Sequence, residues 1–211
     1  MKRILICIAA LLASAALVAA QTPEEIIARM ETEMDKADQV GIAFTMDMKI
    51  PIIGTTSARI YIRGDKSRME VGMAGVKSTV WMDDSANTTW TWDRDDKKNE
   101  VVIEAKKSTG SSGEDNLELA HGVADGYDIQ LAKETADAWY FDCKKSRTNT
   151  DKDDPKKMTL AVYKDTYMLK ELSAKVSGIT VALKDSVLGV SEDEVTYSPS
   201  KTPGATVVDK R

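Results

Sequence analysis

The chain has 211 residues, with 34 acidic side chains against 29 basic ones and a single histidine. That balance argues against nucleic acid or an anionic lipid surface as a generic partner, because either would need a basic field. One histidine excludes a multi-histidine metal site, and with no proline- or glycine-rich linker the length favours one domain.

Lys2 and Arg3 precede an apolar run from Ile4 to Leu17, and Val18-Ala19-Ala20 places small residues before Gln21. This predicts a secretory signal peptide over residues 1–20, since the run is short for a bilayer span and ends in a cleavage site. Cys7 lies inside the run rather than at its end, so no lipid anchor is expected. Cleavage would leave 27 basic and 34 acidic residues, and Cys143 as a lone thiol without an intrachain disulfide. The remaining chain, residues 21–211, is long enough to bury a core without one.

Thr22-Pro23-Glu24-Glu25 opens a helix with a capping hydroxyl, proline in the first turn and acids beside it. Ile26, Ile27, Met30 and Met34 then form an apolar stripe, while Glu25, Arg29, Glu33 and Lys36 face away. A strand follows in which Phe44, Met46, Met48 and Ile50 alternate with polar residues up to Pro51.

From Ala58 to Glu104 the pattern is a meander of short half-buried strands. Its apolar sets are Ala58, Ile60, Ile62; Met69, Val71, Met73; Val80, Met82; Trp90, Trp92; and Val101, Ile103. Residues 106–114 are rich in Ser, Thr and Gly and read as a loop, and residues 115–121 as a short helix carrying Leu117 and Leu119. Further strands are expected around Tyr127 to Leu131, Trp139 to Cys143, Met158 to Val162, Leu172 to Val176, Ile179 to Leu183, Val195 with Tyr197, and Ala205 to Val208. The expected architecture is mainly β with a few helices: ten or eleven strands in a single antiparallel meander, curled into an open half-barrel with helices over the concave face.

The sequence offers no nucleophile–base pair, so no enzyme, cofactor or metal is expected. Cys143 shares an apolar face with Trp139 and Phe141 and reads as core. The acidic clusters at Asp83-Asp84, Asp93 to Asp96 and Asp151 to Asp154 lack the alternating acids and central glycine of a calcium loop and read as solvated turns. Six methionines, Met46, Met48, Met69, Met73, Met82 and Met158, lie on apolar strand faces. Methionine adapts to varied apolar shapes, which suits a cavity, although a closed core under the helices satisfies the same pattern.

The stretches "ARIYIRGDKSRMEV" (Ala58 to Val71), "TVWMDDSANTTWTWDRDDKKNEVVI" (Thr79 to Ile103), "YDIQL" (Tyr127 to Leu131) and "EDEVTYSPSKTPGATVVD" (Glu192 to Asp209), in this order after a signal peptide and an amphipathic helix, resemble the LolA-type periplasmic carriers of outer-membrane lipoproteins. The resemblance implies a soluble periplasmic monomer that holds lipoprotein acyl chains, or another lipid, in an apolar half-barrel. It would exchange them with inner- and outer-membrane transport partners without nucleotide or metal. The lipid-binding positions would be Phe44, Met46, Met48, Ile60, Ile62, Met69, Val71, Met73, Val80, Met82, Trp90, Trp92, Val101 and Ile103. The lid would carry Ile26, Ile27, Met30, Met34, Leu117 and Leu119. The family's lid-locking arginine precedes a proline; Arg63 takes that place here, with Gly64 instead of proline and Arg68 as a competitor. The alternative is an interaction or envelope-stress sensor module with a filled core and a protein-binding rim.

Overall fold

A computed structural model of the chain describes residues 21–52, 54–73, 76–94, 98–106, 122–152, 154–176 and 178–211. The expected signal peptide, the short helix with Leu117 and Leu119, and His121 lie outside the described residues. Helix α1 spans Pro23–Met34 and starts with a full capping box: the Thr22 hydroxyl accepts from the Glu25 amide, and the Glu25 carboxylate accepts from the Thr22 amide. Two short helices, α2 (Ala37–Val40) and α3 (Val123–Gly126), were not visible in the sequence pattern.

The strands are β1 (Ile42–Ile50), β2 (Gly54–Arg63), β3 (Lys66–Met73), β4 (Val76–Asp83), β5 (Thr88–Asp93), β6 (Glu100–Ala105), β7 (Tyr127–Glu134), β8 (Ala138–Lys145), β9 (Lys157–Tyr163), β10 (Leu169–Val176), β11 (Ile179–Leu188) and β12 (Thr206–Asp209). They form one sheet of twelve strands in the order β12-β6-β5-β4-β3-β2-β1-β11-β10-β9-β8-β7. Two antiparallel meanders, β1–β6 and β7–β11, therefore meet where β1 pairs with β11. The sheet stays open, because β7 and β12 do not pair with each other. The strand β12 joins in parallel beside β6, which a pure meander does not provide.

The seam between the meanders aligns Met46 with Leu183 and Met48 with Val181. Its register slips between Ala43 and Thr45, opposite a bulge at Asp185, whose φ is 53°. The Arg59 guanidinium pins that bulge by donating to the Asp185 carbonyl at 3.3 Å and to Thr45 Oγ1 at 3.1 Å.

Both faces of the sheet carry a buried cluster. On the inner face, α1 inserts Ile26, Ile27, Met30 and Met34 into a core with Phe44, Ile60, Phe141, Leu160, Leu172 and Leu183. Each such side chain contributes roughly 1.5–3 kcal/mol, so the stripe alone is enough to dock the helix. The outer face carries a second, smaller cluster under the C-terminal segment, where Val195 packs on Ala43 and Val190 with Tyr61 beside them.

That segment corrects one expectation. Val195 and Tyr197 alternate like a strand, but Glu192–Val195 form a short helix, α4. Ser191 and Glu194 make a second capping box, which fixes a helical turn locally and leaves Tyr197 in an irregular stretch before the 3-10 turn at Pro199–Lys201. A helix thus lies on the outer face as well as the inner one.

Candidate functional site

The inner face is defined by cross-strand register. Phe44 pairs with Ile60 and Met46 with Ala58 between β1 and β2; Ile60 pairs with Met69 and Ala58 with Val71 between β2 and β3; Met69 pairs with Val80 and Ser67 with Met82 between β3 and β4. Phe44, Met46, Met48, Ile60, Ile62, Met69, Val71, Val80 and Met82 consequently share one face, on which α1 packs. Met73 closes β3 opposite Val76.

Coverage of this face is uneven. Phe44, Met46, Ile60 and Ile62 are buried, whereas Met48, Met69, Val71, Val80 and Met82 are only half-buried. A band of apolar side chains on β3 and β4, with Met48 of β1 across the buried residues of β2, therefore stays partly open to solvent. Among the described residues, no group of three or more His, Cys, Asp or Glu side chains is placed to hold a metal ion.

Trp90, Trp92, Val101 and Ile103 do not join this band. The turn at Asp84 to Asn87 pairs Asp83 with Thr88, so Val80 faces Thr91 and Met82 faces Thr89, while Trp90 aligns with Trp81. The β5–β6 register then aligns Trp90 with Ile103 and Trp92 with Val101, all on the outer face. There Tyr197 lies edge-on to Trp81 at 5.4 Å and stacks on Trp90 at 5.6 Å. The Trp92 indole donates to Asn99 Oδ1 at 2.9 Å. These residues build the outer cluster and form no part of the inner surface.

Ile26, Ile27, Met30 and Met34, the side chains expected on a lid, are all buried against the sheet. The helix is tied down at its polar positions too. Glu31 Oε1 accepts from the amides of Val123 and Ala124, and the Arg29 guanidinium sits 3.9 Å above the Tyr167 ring. Tyr167 also donates its hydroxyl to Gln21 Oε1 at 2.7 Å.

Arg63 stands at the end of β2, where it donates to the carbonyl of Val40, the last residue of α2, at 2.9 Å and to that of Val190 at 2.6 Å. Glu192 lies 3.9 Å from its Nε and pairs with Lys66 at 2.5 Å. Arg63 thus clips the end of the α1–α2 helical segment to the sheet and to the chain entering α4. Gly41 makes the close fit there achievable: at φ 76° a Cβ would fall 2.8 Å from the Ile62 carbonyl oxygen and 2.9 Å from Val190 Cβ. Arg68, the competitor, stacks on Tyr61 at 4.0 Å on the outer face.

Cys143 is buried beside Met158 and Phe141 on the inner face of β8, and burial pushes its thiol pKa up to about 12. A thiol so disfavoured as thiolate is a packing residue, not a nucleophile.

A cleft of about 630 Å³ opens beneath α1 at the end of the sheet where β10 and β11 part. Arg29 and Glu33 of α1 form one wall, and Tyr163 to Met168 together with Ser186 to Leu188 form the others. No residue pattern announces it, since it arises from the end of pairing after Glu171 and Lys184 and from the bulge at Asp185. Among the described residues, no helix is long and apolar enough to cross a membrane.

No protein-family model and no curated protein matches the chain. Several solved structures are similar to it. An uncharacterized conserved protein from Thermus thermophilus is 15% identical, with 90% of this chain and 100% of that chain covered and a TM-score of 0.44. The lipoprotein LppX of Mycobacterium tuberculosis is 15% identical over 81% of this chain and 98% of its own, with a TM-score of 0.49. A LolA superfamily protein from Nitrosomonas europaea is 12% identical over 82% and 98% respectively, with a TM-score of 0.34.

Proposed function

We propose that the protein is a non-enzymatic periplasmic carrier that takes acyl chains of lipoproteins or related lipids onto its inner sheet face and passes them between membrane-bound partners. The observation that carries this reading is the band of Met48, Met69, Val71, Val80 and Met82, apolar but only half-buried on the same sheet face that α1 packs against. A closed core would bury these side chains fully. Sequestering an acyl chain yields roughly 0.8 kcal/mol per methylene, so a handful of methylenes on this band supplies useful affinity with no polar site at all. Three flexible methionines among five positions let the surface adapt to chains of different shape.

The test is uptake of a dansylated fatty acid by the purified protein, together with mass spectrometry of an organic extract of the natively purified material. Saturable uptake with co-purifying lipid is expected. An extract free of lipid and a flat titration would reject the carrier reading.

A further inference from the structure

The cleft between β10 and β11 is built differently from the apolar band. Past Glu171 and Lys184 the two strands stop pairing, so the last residues of β11 have no neighbour on that side within the ladder. The bulge at Asp185 shifts the alternation, and Ile42 on the inner face aligns with Leu188. Ser186, two residues earlier on the same strand, therefore shares the inner side with Leu188. It is 5% exposed, and its hydroxyl has no hydrogen-bond partner in the protein. A buried hydroxyl without a partner is costly and marks a place where a ligand acceptor would be welcomed.

Opposite Ser186, Arg29 reaches over Tyr167 from the solvent side of α1. Of the two acids on the cleft wall, Glu33 is paired with Lys36 and Asp165 is exposed on the β9–β10 turn. With one free-standing acid against one guanidinium, the wall suits a neutral polar head better than a second anion. Tyr167, Met168 and Leu188 supply the apolar surface between these groups, and Met168 and Leu188 also belong to the inner core or pack against it.

Resting on the carrier reading, we infer that this cleft is the entrance to the inner face, and that it holds the ester or amide carbonyl of an acyl ligand through Arg29 and Ser186 while the chain runs inward past Met168 and Leu188. Trp139 lies beside the entrance, its ring 5.5 Å from that of Tyr167.

The test uses a 4,5-dibromostearoyl glycerol ester, whose bromines lie close to the carbonyl and quench nearby indoles, and the matching 4,5-dibromooctadecyl ether, which lacks the carbonyl. Binding of the ester is expected to quench Trp139, and the quenching should vanish in Trp139→Phe. Arg29→Met, at an exposed position, is expected to weaken the ester about tenfold and leave the ether unchanged, and Ser186→Ala to weaken the ester about threefold. If the ester displaces the dansyl probe without quenching Trp139, or if Arg29→Met treats ester and ether alike, the entrance is elsewhere and the carrier reading survives. If neither compound nor the dansyl probe binds, both fall.

Discussion

Glu31 of α1 holds Val123 across the inner face: its Oε1 accepts from the Val123 amide at 2.8 Å, and from the neighbouring Ala124 amide at 3.2 Å. These amides open α3, so one carboxylate joins the two helices lying on the sheet. Hydrogen bonds to a charged acceptor are worth about 1.5–3 kcal/mol. Glu31→Ala is expected to destabilise the protein by about that amount and to speed amide exchange in α1 and α3 ahead of the strands. Exchange that rises uniformly over the sheet would contradict a local tie.

Arg63 presents the analogous case at the far end of the same helical segment. Its two carbonyl partners, on Val40 and Val190, belong to different parts of the chain, so losing the guanidinium frees both at once. Arg63→Ala should cost about 2–4 kcal/mol in urea unfolding and accelerate entry of the dansyl probe, because the end of the lid segment is released. Both carbonyls are bonded by the one nitrogen Nη1, so the three-donor ammonium of Arg63→Lys can serve them too and should recover about half of the loss or more, limited by its shorter reach. Unchanged entry kinetics in Arg63→Ala, with stability lowered, would leave Arg63 a structural clip only.

The opposite faces of β4 separate binding from folding. Val80 is half-buried on the inner band, while Trp81 next to it is 3% exposed in the outer cluster with Tyr197. Val80→Asp is expected to reduce probe uptake at least tenfold with a modest loss of stability. Trp81→Ala should cost about 3–5 kcal/mol, as large-to-small core changes do, and leave probe affinity within twofold of wild type in the folded protein. Equal effects of both variants on uptake would mean that the two faces are not independent.

These two neighbours also mark where the sequence stops being readable. Alternation within a strand assigned each face correctly: Met69 and Val71 do share a side, and the Thr22–Glu25 start and the Ile26 to Met34 stripe located α1. What a pattern of twos cannot carry across a turn is parity. The loop from Asp84 to Asn87 aligns Asp83 with Thr88, which sends Trp90 and Trp92 to the side away from Met82. A loop one residue longer or shorter would have reversed that outcome, so apolar alternation on both sides of a turn is no guide to a shared face. The same limit hid Ser186, because the left-handed residue before it is an aspartate on a bulge rather than a glycine in a turn signal. By contrast α4 was legible and missed: Ser191 and Glu194 have the spacing of a capping box, and it prevailed over the two-residue alternation of Val195 and Tyr197.

Acid should weaken the seam that joins the two meanders. Asp47 of β1 lies 2.9 Å from Lys184 of β11, and hydrogen bonds from Lys184 and Ser57 hold its carboxyl below the ordinary carboxylate value, while the Lys184 ammonium is shifted upward by the same pair. A carboxyl with a lowered folded pKa contributes fully above its unfolded value, near 3.9, and loses that contribution as pH falls through the folded value. The lysine side of the pair is saturated throughout this range and lapses only above pH 10 or so. Stability measured by urea unfolding should therefore hold level from pH 7 to about 5 and decline from about pH 4 downward. Asp47→Asn should lower the plateau and flatten the decline, so that the two curves converge as pH falls through the folded value of Asp47. Parallel curves over that interval would mean that the seam pair is solvated and contributes nothing, and that acid acts instead through exposed pairs such as Asp137 with Lys170, whose carboxyl is held at about 2.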